Sequence, residues 1–385
     1  MTSGIFDELL GQPEAIEQLQ RAIASKTEGV HHAWLFTGPA GSGRSLLAKS
    51  FAAALQCEQN GCGNCQQCSL ALADAHPDIL TLATERVTIS IDEVRSLVQK
   101  SQMSSTVGDY RIVIIEDSDR MTERTSNVLL KALEEPQEKT IWILCAPSVA
   151  DLLPTIRSRA RNVLLRLPSA TEVAELLIKR DGIDKDLALK SARQAQNHVG
   201  MARRLAGSQD ARARRAETLR EISSITNLSR AMLAAEKLLG VAKRDAEALA
   251  KERDTAEKEH LMRAFGLAVD ERIPPNLRPQ FKDLEENQKR RSTRALRDGI
   301  DRIFTDAESF FRDVISLQLQ ANAELTNEDL IDELNLRVYG TSVDDNIAVL
   351  DAITEARKRL ASNVRDLLVL ESLCTRMILR QDVAA

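Results

Sequence analysis

The stretch Ala33-Trp34-Leu35-Phe36-Thr37, followed by Gly38-Pro39-Ala40-Gly41-Ser42-Gly43-Arg44-Ser45, decides the fold. The first part carries no charge and reads as a buried strand. The second reads as a phosphate loop, and Ser45 opens an amphipathic helix over Leu46–Leu55. Gly38 and Gly43 keep the spacing of G-x-x-x-x-G-K-[ST]. Gly41 and Gly43 let backbone N–H groups turn inward onto phosphate oxygens, and the helix start adds its positive dipole end. Gly38, Pro39, Ala40, Gly41, Ser42, Gly43, Arg44 and Ser45 are therefore the candidate nucleotide-binding run. Arg44 stands where the motif has lysine. A guanidinium is larger, planar and more directional than an ammonium, so the two are not equivalent. The stretch announces a nucleotide fold while weakening the case for hydrolysis.

Outward from this loop, helix and strand signals alternate from Gln12 to about Arg166. A helix over Pro13–Ala24 comes first. After the loop follow a short helix near Ser69–Ala73, a strand at Ile79–Leu82, and an amphipathic helix over Ser90–Met103. Then come a strand at Arg111–Ile115, a helix over Thr122–Glu134 stopped by Pro136, and strands at Ile141–Cys145 and Asn162–Leu165. Such alternation implies an α/β fold with a parallel, doubly wound sheet. Beyond Leu167 the strand signal disappears. Ala170–Arg180 and Asp186–Ala206 read as a small helical unit, and the remainder as charged helices, notably Lys243–Glu259, Arg291–Leu319 and Val349–Leu379. Three prolines make Arg272–Pro279 a loop. The expected division is 1–167, 168–207 and 208–385.

A second nucleotide feature is Ile112-Val113-Ile114-Ile115-Glu116-Asp117. An apolar strand ending in carboxylates is where P-loop enzymes hold magnesium and polarise attacking water. The usual order there is Asp then Glu; here it is Glu116 then Asp117, which displaces each carboxylate by about one methylene. Magnesium-bound ATP is thus an open possibility. A third feature is Leu153-Pro-Thr-Ile-Arg-Ser-Arg-Ala-Arg161, whose basic residues suit a phosphate on a neighbouring subunit or a surface loop with ordinary ion pairs.

Of the six cysteines, Cys57, Cys62, Cys65 and Cys68 fall in one short run with spacing C-x4-C-x2-C-x2-C. Four thiolates close a tetrahedral zinc site with no position left for water, so such a site is structural. Redox-active or unliganded thiols are the alternative. Cys145 and Cys374 lie in apolar contexts and read as buried.

The 385 residues suffice for two or three domains. A net charge of -5 and an aromatic content of 3% speak against a general DNA-binding surface or a base-stacking platform. The alternating acids and bases of 243–259 read as a solvated helix face. No signal peptide and no apolar run of ~20 residues is apparent, which gives the expectation of a cytoplasmic protein without a membrane partner.

Taken together, Asn127-Val-Leu-Leu-Lys-Ala-Leu-Glu-Glu-Pro136, Ser158-Arg159-Ala160, His76-Pro77-Asp78, Gly11-Gln12 and the cysteine run resemble the clamp-loader branch of the AAA+ family. The likeness covers about residues 4–207 and, more loosely, a helical collar to the end. It implies an AAA+ P-loop sheet domain with a zinc knuckle, a helical lid and an all-α collar that oligomerises. Arg44, the Glu116-Asp117 order and the run Cys145-Ala146-Pro147-Ser148, which lacks the branch's phosphate-sensing threonine, make the chain more similar to a non-hydrolysing stator than to the ATP-hydrolysing gamma/tau kind. The resemblance then implies a replication role in which Arg159 acts in trans on a neighbouring ATPase and Arg203 takes the place of the lid's nucleotide-sensing arginine, or makes a lid salt bridge. Gamma/tau and delta subunits, the sliding clamp and, through the complex, primer–template DNA are the implied partners. An active or merely nucleotide-binding ATPase subunit is the alternative.

Overall fold

Strand β1 (Ala33–Thr37) is buried along its whole length, and its side chains divide between two cores. Trp34 and Phe36 face one way with Ile112, Ile114, Ile141 and Ile143, whereas Ala33 and Leu35 face the other with Val113, Ile115, Trp142 and Leu144. Side chains alternate along a strand, so strands apolar at every position must be covered on both faces. The computed structural model describes residues 4–6, 9–26, 29–84, 88–264, 274, 278–362 and 364–378.

β1 belongs to a five-stranded sheet with β2 (Ile79–Leu82), β3 (Arg111–Ile115), β4 (Thr140–Ala146) and β5 (Arg161–Leu164), in the order β2-β3-β4-β1-β5. All pairings are parallel. Helices α1 (Pro13–Ala24) and α2 (Arg44–Gln56) cover one face through Leu19, Ile23, Leu47 and Phe51. α3 (Gln66–Leu72) joins them through Cys68 and Ala71. This short helix starts earlier than its apolar pattern suggests, because Cys65 caps it by accepting from the Cys68 N–H. α4 (Ile91–Ser101) and α5 (Glu123–Glu134) cover the other face through Val94, Leu97, Leu129 and Leu133. Ser90 and Glu93 form a reciprocal capping box at the start of α4, and Thr122 caps α5. A short turn of helix, α6 (Pro154–Arg157), precedes β5.

α7 (Ala170–Asp181), α8 (Lys185–Gln194) and α9 (Val199–Gly207) follow. The helical stretch expected over Asp186–Ala206 is thus broken in two. Gln196 and Asn197 adopt left-handed φ of 48° and 66°, which ends α8 without glycine or proline. The chain divides into one unit ending at Arg203 and a second beginning at Arg204.

The second unit contains α10 (Gln209–Ser223), α11 (Leu228–Ala264), α12 (Arg278–Gln318), α13 (Ile331–Gly340), α14 (Val343–Ala361) and α15 (Asp366–Arg376). Its core gathers Leu238, Phe304, Phe310, Phe311, Ile353 and Leu370. The helix expected from Arg291 begins at Arg278, and the one expected over Val349–Leu379 is two, α14 and α15, separated after the Ser362 cap. Of the expected loop 272–279, only Pro274, Arg278 and Pro279 lie within the described residues; Pro279 occupies the first turn of α12, where its missing N–H removes no helix bond. Among the described residues no strand follows Leu164, and no helix is long and apolar enough to cross a membrane.

Candidate functional site

The phosphate loop lies between β1 and α2 at the carboxyl end of the sheet, where parallel sheets bind ligands. β1 runs between β4 and β5, so the loop has a strand end on either side. Gly43 is the residue before α2 and takes a left-handed φ of 92°, open to glycine without strain. The Gly38 N–H donates to the Pro147 carbonyl at 3.1 Å, and Leu47 N–H to Gly43 at 2.8 Å. Gln12 is buried and ties this loop to the strand beyond it. Its amide donates to the carbonyls of Ser42 at 3.2 Å and Arg166 at 2.6 Å, and its oxygen accepts from Arg166 N–H at 3.0 Å.

Two side chains occupy the loop's own surface. Arg44 turns its guanidinium back to donate to the Gly38 carbonyl. His198, in the turn before α9, packs so close to Gly41 (φ +83°) that a Cβ there would lie 2.7 Å from the imidazole Cγ. Near Gly11, the Arg166 guanidinium also comes close, 2.9 Å from the position of a Cβ, while it pairs with Glu172 at 2.7 Å. Ser42 Oγ is buried and has no hydrogen-bond partner among the described residues.

The acid pair behaves unequally. Glu116 follows β3 and lies near Ser45 at the start of α2. Burial pushes the Glu116 carboxyl upward, opposed by the Lys49 ammonium and Ser45 and reinforced by Asp117 and Asp74. Lys49 lies one turn after Ser45 on α2, 3.9 Å from Glu116 Oε1 and 2.5 Å from Asp74 Oδ2. A resident cation therefore stands beside the first carboxylate. Asp117 takes a left-handed φ of 53° and turns to Arg120, 3.8 Å away, so it opens a short 3₁₀ turn and does not extend the strand. Cys145, in the run that lacks a threonine, is buried with its sulfur 4.0 Å from the Arg44 carbonyl. Burial pushes this thiol up, and the charge of Glu116 adds to the effect.

Arg159 stands away from this loop. It follows α6, and its Nη1 donates to the Thr155 carbonyl at 2.7 Å and to Ser158 Oγ at 3.2 Å. Its Nη2 lies 2.6 Å from Glu134 Oε1, and both side chains are partly exposed. Arg161 instead covers the Trp34 ring at 5.5 Å. Arg203 pairs with Asp181 at 2.9 Å.

The four clustered cysteines converge. Their sulfurs all lie within 4.8 Å of one another, and Cys57 Sγ is 3.7 Å from both Cys62 and Cys65. Sulfurs bound about 2.3 Å from a tetrahedral ion stand roughly 3.8 Å apart, so the set fits a metal ion. The N–H groups of Cys65 and Cys68 point at the sulfurs of Cys62 and Cys65 at 3.3 and 3.5 Å. Burial raises the Cys57 thiol, but N–H groups of Cys62, Gly61 and Gln59 outweigh it and bring the pKa down to about 6. Burial leaves the Cys68 thiol raised.

Sequence reasoning quoted Glu134 within the 127–136 run without giving it a role, and did not single out Lys49 or His198. Lys49 was visible in principle, four places after Ser45 on the same helix face. Glu134 had a faint signal as a carboxylate at the unfavourable end of a helix. His198 had none.

Three comparisons bear on this arrangement. The family described as DNA polymerase III, delta subunit, matches residues 11–169, less than half of the chain. The delta-prime subunit of DNA polymerase III from Pseudomonas aeruginosa is 37% identical over 154 residues, 38% of this chain and 47% of that one. The Escherichia coli delta-prime subunit is 32% identical over 190 residues, 48% of this chain and 57% of its own length. A gamma/tau subunit from Mycobacterium tuberculosis is 30% identical over 179 residues, 45% of this chain and 31% of that one. The chain thus spans about half the length of the delta-prime relatives it matches. A gamma-subunit-related protein from Thermotoga maritima covers 94% of this chain and 98% of its own at 19% identity, with a TM-score of 0.43. The likeness to the delta-prime kind, which Arg44, Glu116-Asp117 and the run 145–148 lead one to expect, is the likeness these matches give.

Proposed function

We propose that this chain is a stator of a DNA polymerase III clamp loader: it does not hydrolyse ATP itself and lends Arg159 to the ATP site of a neighbouring gamma/tau-type subunit. The observation that carries this reading is the state of the phosphate loop. Arg44 spends its guanidinium on the Gly38 carbonyl, and His198 lies against Gly41. A loop engaged by its own chain at both points is poorly placed to cradle and polarise a triphosphate. Asp117, turned onto Arg120, and the Lys49 cation beside Glu116 further weaken metal-assisted water activation.

In this reading residues 1–167 form the AAA+ domain, 168–207 its lid and 208–385 a collar that assembles with gamma/tau and delta subunits. Through the complex the chain serves the sliding clamp and primer–template DNA. The cysteine set holds structural zinc, which fixes the knuckle and supplies no chemistry. Arg159 acts by placing positive charge where the transferring phosphoryl group accumulates negative charge. Its exposure and its place outside the chain's own loop support use by another subunit.

A second reading, nucleotide held without turnover, draws on one atom. Ser42 Oγ is buried inside the loop without a hydrogen-bond partner among the described residues, and a phosphate oxygen would supply one. Two measurements separate the readings. Equilibrium ATP binding to the isolated chain is absent for the stator and present for the holder. In a rebuilt loader, Arg159→Ala lowers the ATPase rate by about 10³-fold or more if the arginine acts in trans; an unchanged rate removes the stator role of Arg159.

A further inference from the structure

We propose that Glu134 is the positioning residue for Arg159, holding the guanidinium in the orientation in which a neighbouring subunit's triphosphate meets it. This rests on the function proposed above and adds to it a residue that aims the arginine.

Glu134 is the last residue of α5. A carboxylate there faces the negative end of the helix dipole, so its own helix gains nothing from it and a cation nearby is what makes the position favourable. That cation is Arg159, with Nη2 2.6 Å from Glu134 Oε1. The other terminal nitrogen, Nη1, is spent on the Thr155 carbonyl at 2.7 Å and on Ser158 Oγ at 3.2 Å. The planar group is thus fixed from two elements at once, α5 through the carboxylate and α6 through Thr155. An arginine carries several freely rotating bonds, and a planar fork held at both nitrogens loses most of that freedom before a ligand arrives.

Exposure decides whether such a pair can serve a partner. The side chains of Arg159 and Glu134 are 34% and 47% exposed. A pair this open is weak and exchanges readily, so it orients the arginine without retaining it against a multiply charged phosphate. A fully buried pair would hold its guanidinium too firmly to hand it over. Arg161, by contrast, is engaged over the Trp34 ring.

The test is a double-mutant cycle in a loader rebuilt from the full chain with its gamma/tau-type and delta subunits, with steady-state ATPase measured for wild type, Glu134→Ala, Glu134→Gln, Arg159→Ala and the double variant. Glu134→Ala is expected to lower kcat about fivefold with KM for ATP unchanged, the loss matching one exposed ion pair. Glu134→Gln, which keeps an acceptor oxygen, should recover part of that loss. In the Arg159→Ala background Glu134→Ala should change nothing further, because a positioner has no effect once the arginine it holds is gone. If Arg159→Ala lowers kcat while Glu134→Ala leaves it unchanged, or if the Glu134 effect persists without Arg159, the inference falls and the arginine's role in trans stands. If Arg159→Ala itself leaves kcat unchanged, the underlying function falls with it.

Discussion

His198 and Gly41 are in such close contact that the loop backbone has room for hydrogen and nothing larger: a Cβ on Gly41 would lie 2.7 Å from the imidazole Cγ and 2.8 Å from the His198 Cα. Gly41 also holds a φ of +83°, which a side chain disfavours. Gly41→Ala is therefore expected to destabilise the first unit by about 2 kcal/mol from strain and overpacking together. His198→Ala in the same chain should restore only part of this, because the His198 backbone remains in the way. Urea unfolding of wild type and the two variants checks it; full rescue would show that the imidazole alone sets the contact.

Arg44 and the Gly38 carbonyl give a second prediction. A lysine at this position presents one compact ammonium on a flexible stem and returns the loop to the motif's composition. Arg44→Lys is expected to increase retention of ATP by the isolated chain while leaving turnover absent, since Asp117 stays on Arg120 and Lys49 stays beside Glu116. Filter retention of labelled ATP and a product assay read the two effects separately. Turnover in Arg44→Lys would place the whole defect in one residue and contradict the role given to the acid pair.

The parallel sheet was legible because β1, β3 and β4 are apolar at nearly every position and bounded by loop and helix signals, and such strands admit few other placements. The break between α8 and α9 was not. Gln196 and Asn197 take left-handed conformations that their composition permits and does not demand. The division of α14 from α15 was not legible either, as a helical charge pattern runs through both. At the site, local spacing revealed the loop, the acids and the cysteines. It did not reveal His198 against Gly41 or Glu134 beside Arg159, because these contacts join elements far apart in sequence and no period links them.

The cysteine set predicts its own response to metal removal. Purified chain is expected to carry about one zinc ion, and Cys65→Ser to carry much less. Gly61 within this run accepts from the Ile5 N–H at 3.0 Å, and Ile5 belongs to the core beside α2. Loss of the ion should therefore loosen both the knuckle and the segment around Ile5, seen as faster amide exchange at both places. Elemental analysis with less than about one ion per chain, together with unchanged exchange after chelation, would leave the thiols unliganded.

Asp78 gives a pH dependence with a definite sign. Its buried carboxylate would be raised by burial, but N–H groups of Gly108, Val107 and Thr106 and the Thr106 hydroxyl outweigh this and hold the pKa at about 2. The amide contacts measure 2.8, 2.7 and 2.7 Å, and Arg111 adds a contact at 3.2 Å. Because the folded value lies below the unfolded one of about 3.9, the stabilisation is complete above about pH 4 and is lost as the pH falls through about 2. It amounts to about 2 kcal/mol. Asp78→Asn should lower stability by about that much at pH 7 and flatten the fall in urea midpoint between about pH 4 and pH 2; parallel curves for the two proteins would deny Asp78 this part.

In the second unit, Arg337 is 1% exposed and donates only to carbonyls: Met377 at 2.6 Å, and Ile222 and Ile225 at 3.2 Å each. These oxygens lie at or just past the carboxyl ends of α10 and α15, where the helix dipole turns its negative end. The guanidinium thus stands where a carboxylate is not needed, 5.5 Å over the Phe311 ring. Burial lowers its pKa to about 10, which still leaves it charged at neutral pH. Arg337→Met keeps the apolar stem but abandons three buried acceptors, and a loss of about 3 kcal/mol is expected. Arg337→Lys should recover little, because one ammonium on a shorter reach lacks the fork that meets two helix ends together. Denaturant unfolding of the full chain followed by a probe in α15 measures both; a lysine variant as stable as wild type would show that charge alone, without the planar fork, holds these helix ends.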